Sequence, residues 1–139
     1  MPVVYTALGT DVIHEGHLNI LKYAQEYGTV VVGALSDKAL IRYSRFPTVS
    51  QEERVKLYES LEGVSRVIIQ DDYLYDDVIA TLKPDYVVHG DNWQNGPERA
   101  IRNNIEGLLA TYGGTLIEVP YTRSEQARKV DQQLREKLA

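Results

Sequence analysis

Two histidines three positions apart, with a glycine between them, close a short apolar run in Asp11-Val12-Ile13-His14-Glu15-Gly16-His17. A strand-like run before them and an apolar-periodic segment after them put both rings at a strand-to-helix turn. There helix N-terminal amides and imidazolium groups can together hold a polyphosphate. Gly16 carries no Cβ, so backbone and ligand can approach closely where the helix begins. Zinc ligation is the competing chemistry for a histidine pair. The chain has no cysteine and one further histidine, His89, so carboxylates would have to complete a metal shell. The turn context favours the phosphate reading.

Short apolar runs alternate with helix-period segments along the chain. This predicts an α/β fold, a single Rossmann-like doubly wound sheet of five parallel strands with helices on both faces. Strands are expected over residues 3–8, 29–35, 64–70, 85–89 and 115–119. The first helix is expected over 16–27, with Leu18, Leu21, Ala24 and Tyr27 or Ile20 on its core face and Gly28 as its stop. Ser36-Asp37 precede a short helix over 38–43. The capping-box spacing Ser50-x-x-Glu53 opens a helix carrying Arg54, Val55, Leu57, Tyr58 and Leu61. Further helices are expected over 75–82, ahead of Pro84, over 98–112 after Pro97, ahead of Gly113-Gly114, and over 124–138. No linker, repeat or low-complexity tract interrupts residues 1–139, which read as one domain. In such sheets the ligand lies beyond the carboxyl ends of the strands, where strand order reverses. The histidine pair, Ser36-Asp37 and Gly90-Asp91-Asn92-Trp93 all fall at that end.

Composition removes several classes. The 139 residues carry a net charge of −5 and a pI near 5.2, which argues against a nucleic-acid surface. The lack of cysteine suits a reducing cytoplasm and excludes thiolate chemistry. No secretory leader is recognisable and no apolar stretch approaches the roughly 20 residues of a membrane span, so a cytoplasmic protein with no membrane contact is expected. The first turn reads Gly9-Thr10-Asp11, without the G-x-G-x-x-G of dinucleotide sites, and no P-loop lysine is present. A mononucleotide triphosphate site remains.

Five stretches, in order, then carry a resemblance: Thr10-Asp11-Val12-Ile13-His14-Glu15-Gly16-His17-Leu18-Asn19-Ile20, Ser36-Asp37-Lys38-Ala39, Tyr43-Ser44-Arg45-Phe46-Pro47, Lys83-Pro84-Asp85-Tyr86-Val87-Val88-His89-Gly90-Asp91-Asn92-Trp93 and Glu118-Val119-Pro120-Tyr121-Thr122. The chain resembles the cytidylyltransferases of the HxGH nucleotidyltransferase superfamily. It looks closest to the branch that activates phosphonates, the type found fused to phosphoenolpyruvate mutase.

The resemblance implies CTP-dependent transfer of CMP to a small phosphonate of the 2-hydroxyethylphosphonate or 2-aminoethylphosphonate type, with release of pyrophosphate. It also implies Mg²⁺ as cofactor, a homodimer, and fusion to or association with phosphoenolpyruvate mutase. His14, His17, Asp11 and Arg45 would be catalytic. Leu8, Gly9, Thr10, Gly16, Arg42, Arg54, His89, Gly90, Asp91, Trp93, Thr122, Arg123 and Ser124 would bind the nucleotide. Within that scheme Asp11 either orients a histidine, helps hold Mg²⁺ or closes an Asx turn. Arg54 either reaches the site or is an exposed helix charge. Lys38 contacts the phosphonate or is solvated, and Trp93 closes the pocket or is core.

Two departures stand out. Ser44 replaces a lysine common in the family, which makes Arg42 a substitute cation. After Thr122 the chain reads Arg123-Ser124-Glu125-Gln126-Ala127-Arg128 in place of a glycine and a hydroxyl-rich helix start. There Arg123 and Arg128 supply positive charge while Glu125 repels an anion. The competing readings are transfer to a phosphate ester such as glycerol 3-phosphate, and nucleotide binding without turnover.

Overall fold

Period-two alternation in the strands decides which side of the sheet each residue faces, and thereby which helices it meets. The computed structural model describes residues 2–42, 46–94, 96 and 98–120. Its strands are β1 (Val3–Leu8), β2 (Thr29–Leu35), β3 (Val64–Gln70), β4 (Tyr86–Gly90) and β5 (Thr115–Val119). Its helices are α1 (Glu15–Tyr27), α2 (Asp37–Arg42), α3 (Gln51–Glu59), α4 (Asp76–Leu82) and α5 (Arg99–Ala110), with a short 3-10 turn at Asp91–Trp93. Val4, Val30, Val32 and Val88 pack on one face with Ile20, Leu21 and Ala24 of α1 and Tyr58 of α3. Their neighbours Tyr5, Val31 and Val87 pack on the other face with Val78 and Ile79 of α4 and Ile105 and Leu109 of α5. Helices therefore cover both faces of an all-parallel sheet, ordered β3-β2-β1-β4-β5. The α/β Rossmann-like architecture is the expected one.

Strand order reverses between β1 and β4, and this junction is built loosely. β1 runs against β2 over six register pairs, from Val3↔Thr29 to Leu8↔Ala34. Against β4 it pairs only at Val4↔Tyr86 and Tyr5↔Val87. Beyond Val87 the two strands part, and the carboxyl-terminal halves of both line a crevice. At its base the Tyr5 hydroxyl donates to Gln70 Oε1 at 2.5 Å, crossing under β2. Gly33 permits that crossing, since a Cβ there would lie 1.6 Å from the Tyr5 hydroxyl oxygen.

Element boundaries agree with the sequence reading to within one or two residues, with physical reasons for the differences. β4 starts at Tyr86 because Asp85 acts as a hook, its Oδ2 accepting from the Val3 amide at 2.8 Å. α5 ends at Ala110, after which Gly113 adopts φ +85° and the Gly114 amide returns to the Leu109 carbonyl. One expected core residue is misplaced. Leu18 is 50% exposed, because the inward stripe of α1 is His17, Ile20, Leu21 and Ala24 at i, i+3, i+4 and i+7. That stripe carries His17 inward. Tyr43 and the predicted helix over 124–138 lie outside the described residues, and no described helix is long and apolar enough to cross a membrane.

Candidate active site

Parting of β1 from β4 leaves a cavity of about 340 Å³ at the carboxyl end of the sheet. Leu8, Gly9 and Thr10 at the end of β1, His17 of α1, and His89, Gly90 and Trp93 at the end of β4 line it. Six of the expected nucleotide-binding residues and one expected catalytic residue, His17, thus share one concavity.

The histidine pair caps α1. His14 is the N-cap residue, and its Nδ1 accepts from the Gly16 amide at 2.9 Å. His17 Nδ1 in turn accepts from the His14 amide at 3.2 Å. A backbone N–H can only donate, so neither Nδ1 carries a proton in this arrangement. Each neutral ring therefore bears its hydrogen on Nε2, a donor facing away from the helix cap. The rings lie 4.0 Å apart between centroids, tilted by 42°.

This corrects the expected imidazolium for His17. Burial of the ring, followed by the repulsion its protonated form would meet from a protonated His14, pulls its pKa from 6.5 down to about 4, and the positive end of the helix dipole acts in the same sense. His17 is a neutral hydrogen-bond donor at neutral pH. The stability consequence has a definite sign: between about pH 4 and 6.5 the unfolded chain binds the proton and the folded chain does not. This contribution is present above pH 6.5 and is lost as pH falls toward about 4. Urea unfolding across that interval should show stability rising with pH, with a shallower rise in His17→Asn. An unchanged slope in the variant would contradict the assignment.

On the opposite wall His89 has the reverse tautomer. Its Nδ1 lies 2.7 Å from the Gly90 carbonyl oxygen, which can only accept, so Nδ1 carries the proton and Nε2 is an acceptor. Desolvation lowers the pKa of this ring despite the opposing influence of the Gly90 carbonyl, Glu98 and Glu118, which keeps it neutral. Trp93 stacks flat on it, centroids 3.4 Å apart at 4°. Trp93 is both core and pocket wall: it is buried, and its indole N–H donates to Glu118 Oε2 at 3.1 Å. Glu118 of β5 also accepts from Gln94 and from Arg102, which reaches it with Nε and Nη2. These bonds, the one from Arg102 foremost, hold the Glu118 carboxyl below the usual carboxylate range against the effect of desolvation. Sequence reasoning assigned no role to Arg102, and its partner lies on a strand 16 positions away.

The remaining expected residues are placed differently. Asp11 closes no Asx turn; its Oδ2 accepts from the Thr48 amide and hydroxyl at 2.9 and 2.8 Å, tying the turn after β1 to the segment before α3. Desolvation raises its pKa, but Thr48, the Val49 amide and the charge of Arg54 outweigh this and leave it lowered. Arg54 is neither a phosphate contact nor an exposed charge. Its side chain is 0% exposed and donates to Asp37 Oδ1, the Val49 carbonyl and the Leu35 carbonyl. Arg42, 63% exposed at its side chain, pairs with Asp72 at 3.2 Å and is not among the residues lining the cavity. Lys38 is exposed on α2, and Asp91 opens the 3-10 turn just outside the lining. Gly16 is buried in the first turn of α1. Arg45, Thr122, Arg123, Ser124, Glu125 and Arg128 lie outside the described residues.

Among the described residues no three metal-ligating side chains cluster. Asp11 Oδ1 is buried without a hydrogen-bond partner. That donor set does not suit zinc. It fits Mg²⁺, which takes one or two carboxylates and completes its octahedron with phosphate oxygens and water.

A parallel sheet that opens at its switch point onto a helix capped by two Nε2–H imidazoles defines an α/β domain of the nucleotidyltransferase class. The chain belongs to the cytidylyltransferase-like family, whose model matches residues 9–129. Among its relatives, the bifunctional protein HldE of Desulfatibacillum aliphaticivorans is 28% identical over 128 residues, 90% of this chain and 25% of that protein. The FAD synthase of Methanopyrus kandleri is 34% identical over 84 residues, 58% of this chain and 56% of that one. The chain thus spans about a quarter of the length of the bifunctional relative. In fold it is similar to the lipopolysaccharide core biosynthesis protein from Thermoplasma volcanium, with a TM-score of 0.72 at 21% identity over 90% of this chain and 99% of that one.

Proposed function

We propose that the protein transfers CMP from CTP to a small phosphonate of the 2-hydroxyethyl or 2-aminoethyl type. A phosphonate oxygen attacks the α-phosphorus of CTP, the P–O bond to the β-phosphate breaks, and pyrophosphate leaves with that electron pair. The observation that carries the reading is the orientation of His14 and His17. Nδ1 of each ring accepts from a backbone N–H, so the donor of each ring is Nε2–H; His17 lines the cavity, and these donors would meet the charge that builds on the leaving pyrophosphate. Because these bonds already orient the rings, no reorganisation is needed at the moment of reaction. Asp11 would hold Mg²⁺ beside the phosphates, and the ion would neutralise part of their charge. His89, Gly90 and Trp93 would form the nucleoside wall. Arg45, Thr122, Arg123 and Ser124 would contribute from the flanking segments.

The phosphonate acceptor rests on the motif resemblance, as do a homodimer, a cytoplasmic location and association with phosphoenolpyruvate mutase. The test is pyrophosphate release from each nucleoside triphosphate with Mg²⁺ and 2-hydroxyethylphosphonate, 2-aminoethylphosphonate or glycerol 3-phosphate. CTP with a phosphonate should give the highest rate and a CMP-linked product by mass. Higher turnover with glycerol 3-phosphate would replace the acceptor. No release above a His17→Ala control in any pairing would remove the reaction.

A further inference from the structure

Trp93, the only tryptophan of the chain, reaches the cavity from an element too small to aim it. The 3-10 turn Asp91–Trp93 is three residues long, has no side-chain cap at Gly90, and is closed by the Gln94 amide donating to the Asp91 carbonyl at 3.3 Å. Burial in one apolar cluster with Ile105 and Leu109 of α5 draws the indole inward. Apolar burial is non-directional and does not by itself fix how the ring is turned. The direction comes from Glu118. Its Oε2 accepts from the Trp93 indole N–H at 3.1 Å and from Gln94 Nε2 at 3.0 Å, so two successive residues at the end of the turn are tied to one oxygen. Arg102 fixes that oxygen in turn. Its Nε lies 3.0 Å from both carboxylate oxygens and its Nη2 lies 2.6 Å from Oε1, a grip that sets the plane of the carboxylate. Glu118 also stands in register with His89 across β4 and β5, and His89 is the ring on which Trp93 lies flat. Trp93, His89 and Gly90 line the cavity, whereas Arg102 and Glu118 do not.

From this relay we infer that Arg102 and Glu118 are positioning residues for nucleotide binding, acting through the Trp93 indole N–H to hold the Trp93–His89 stack in one plane against the nucleoside. The inference rests on the reading of His89, Gly90 and Trp93 as the nucleoside wall, and it concerns affinity rather than chemistry. A stack held from behind is already ordered when the ligand arrives, so binding does not have to order it. With the relay broken, the rings remain buried but lose their common orientation, and the nucleotide must restore it. Neither residue touches the reacting phosphates, so the loss falls on the ground state and the transition state alike.

The test uses the full chain, with CTP and Mg²⁺ as the probe. Glu118→Gln places an amide opposite Arg102, and Arg102→Lys keeps the charge but not the fork. In both variants CTP binding by calorimetry should weaken about tenfold, the size of one lost hydrogen bond to a charged group. KM for CTP should rise by the same factor while kcat for pyrophosphate release changes less than about threefold. Indole emission comes from Trp93 alone and is quenched by a stacked imidazole, so it should rise in both. In a Trp93→Phe background, which lacks the N–H, Glu118→Gln should cost no further affinity, because the two residues act through one bond. Weaker CTP binding with raised emission, in a chain that releases no pyrophosphate with any acceptor, would sink the transfer reaction and leave the inference standing. Turnover with CTP affinity and emission both unchanged in the variants would overturn the inference and leave the transfer reaction intact, even if the melting temperature fell. A lowered kcat at unchanged KM would overturn it by placing the pair in the chemistry, and additive losses in the Trp93→Phe background would overturn it by showing another route. So would no CTP binding by the wild-type chain. If Glu118→Gln does not fold, Arg102→Lys decides by the same readouts.

Discussion

Replacing His17 with asparagine is expected to lower kcat for pyrophosphate release about 10²- to 10³-fold, the usual effect of removing one donor aimed at developing charge. Asparagine is the informative substitution because the helix cap and the proposed transfer reaction call on different nitrogens of His17. Its Nδ1 closes the capping box of α1 by accepting from the His14 amide, and an asparagine side-chain oxygen can take over that shorter reach. The Nε2–H on the far side of the ring has no counterpart in asparagine. Unfolding free energy at pH 7 should therefore stay within about 0.5 kcal/mol of wild type, as expected for an exchanged cap. KM for CTP should move much less than kcat, since the donor acts mainly on charge that appears in the transition state. A fall in KM-limited uptake with kcat preserved would make His17 a ground-state binding group. Unchanged kinetics would remove it from the reaction.

The second large effect is structural. Arg54→Met should destabilise the fold by about 3 kcal/mol, the lower end of what is found when one member of a buried pair is removed. The lower end applies because the partner, Asp37, is itself 42% exposed at its side chain and can be hydrated after the loss. Methionine retains most of the apolar stem, so the deficit comes from the unpaired Leu35 and Val49 carbonyls rather than from a cavity. Asp37→Asn leaves both carbonyls satisfied and should cost about 1 kcal/mol, a hydrogen-bond-sized loss. Urea midpoints for the two variants give the comparison. Equal losses would mean that the ion pair, not the carbonyl bonds, is what Arg54 supplies.

The sheet was legible because each strand carries its own boundary chemistry. β2 and β5 match residue for residue, being β-branched runs closed by Gly28 before one and Gly114 before the other. The histidine pair was legible for a similar reason: its spacing and its glycine are local. What failed were assignments that depend on partners distant in sequence. Arg54 was read as a phosphate contact or an exposed charge, since arginine is rarely buried. Its acceptors belong to Leu35, Asp37 and Val49, up to 19 positions away. The available signal was its place at i, i+4 with Tyr58, since both are buried on α3. Leu18 was assigned to the core by its helical spacing to Leu21 and Ala24, whereas the inward stripe of α1 includes a histidine in its place. Glu98 and Tyr75 lie in segments read only as helix starts, and it takes the folded chain to bring them to the cavity that His17 also lines. Protonation states were beyond the sequence as well, because a tautomer is set by which backbone group each ring nitrogen meets.

The early separation of β1 from β4 also bears on how ligand occupancy and chain stability are linked. A central strand pair joined by only two register pairs is a weak seam between pairings of five or six. A molecule wedged there touches both halves of the sheet, β3-β2-β1 on one side and β4-β5 on the other. It acts as the missing mortar between them, and its affinity is added to the cohesion of the folded state by mass action. Filling the seam and holding the two halves together are the same event.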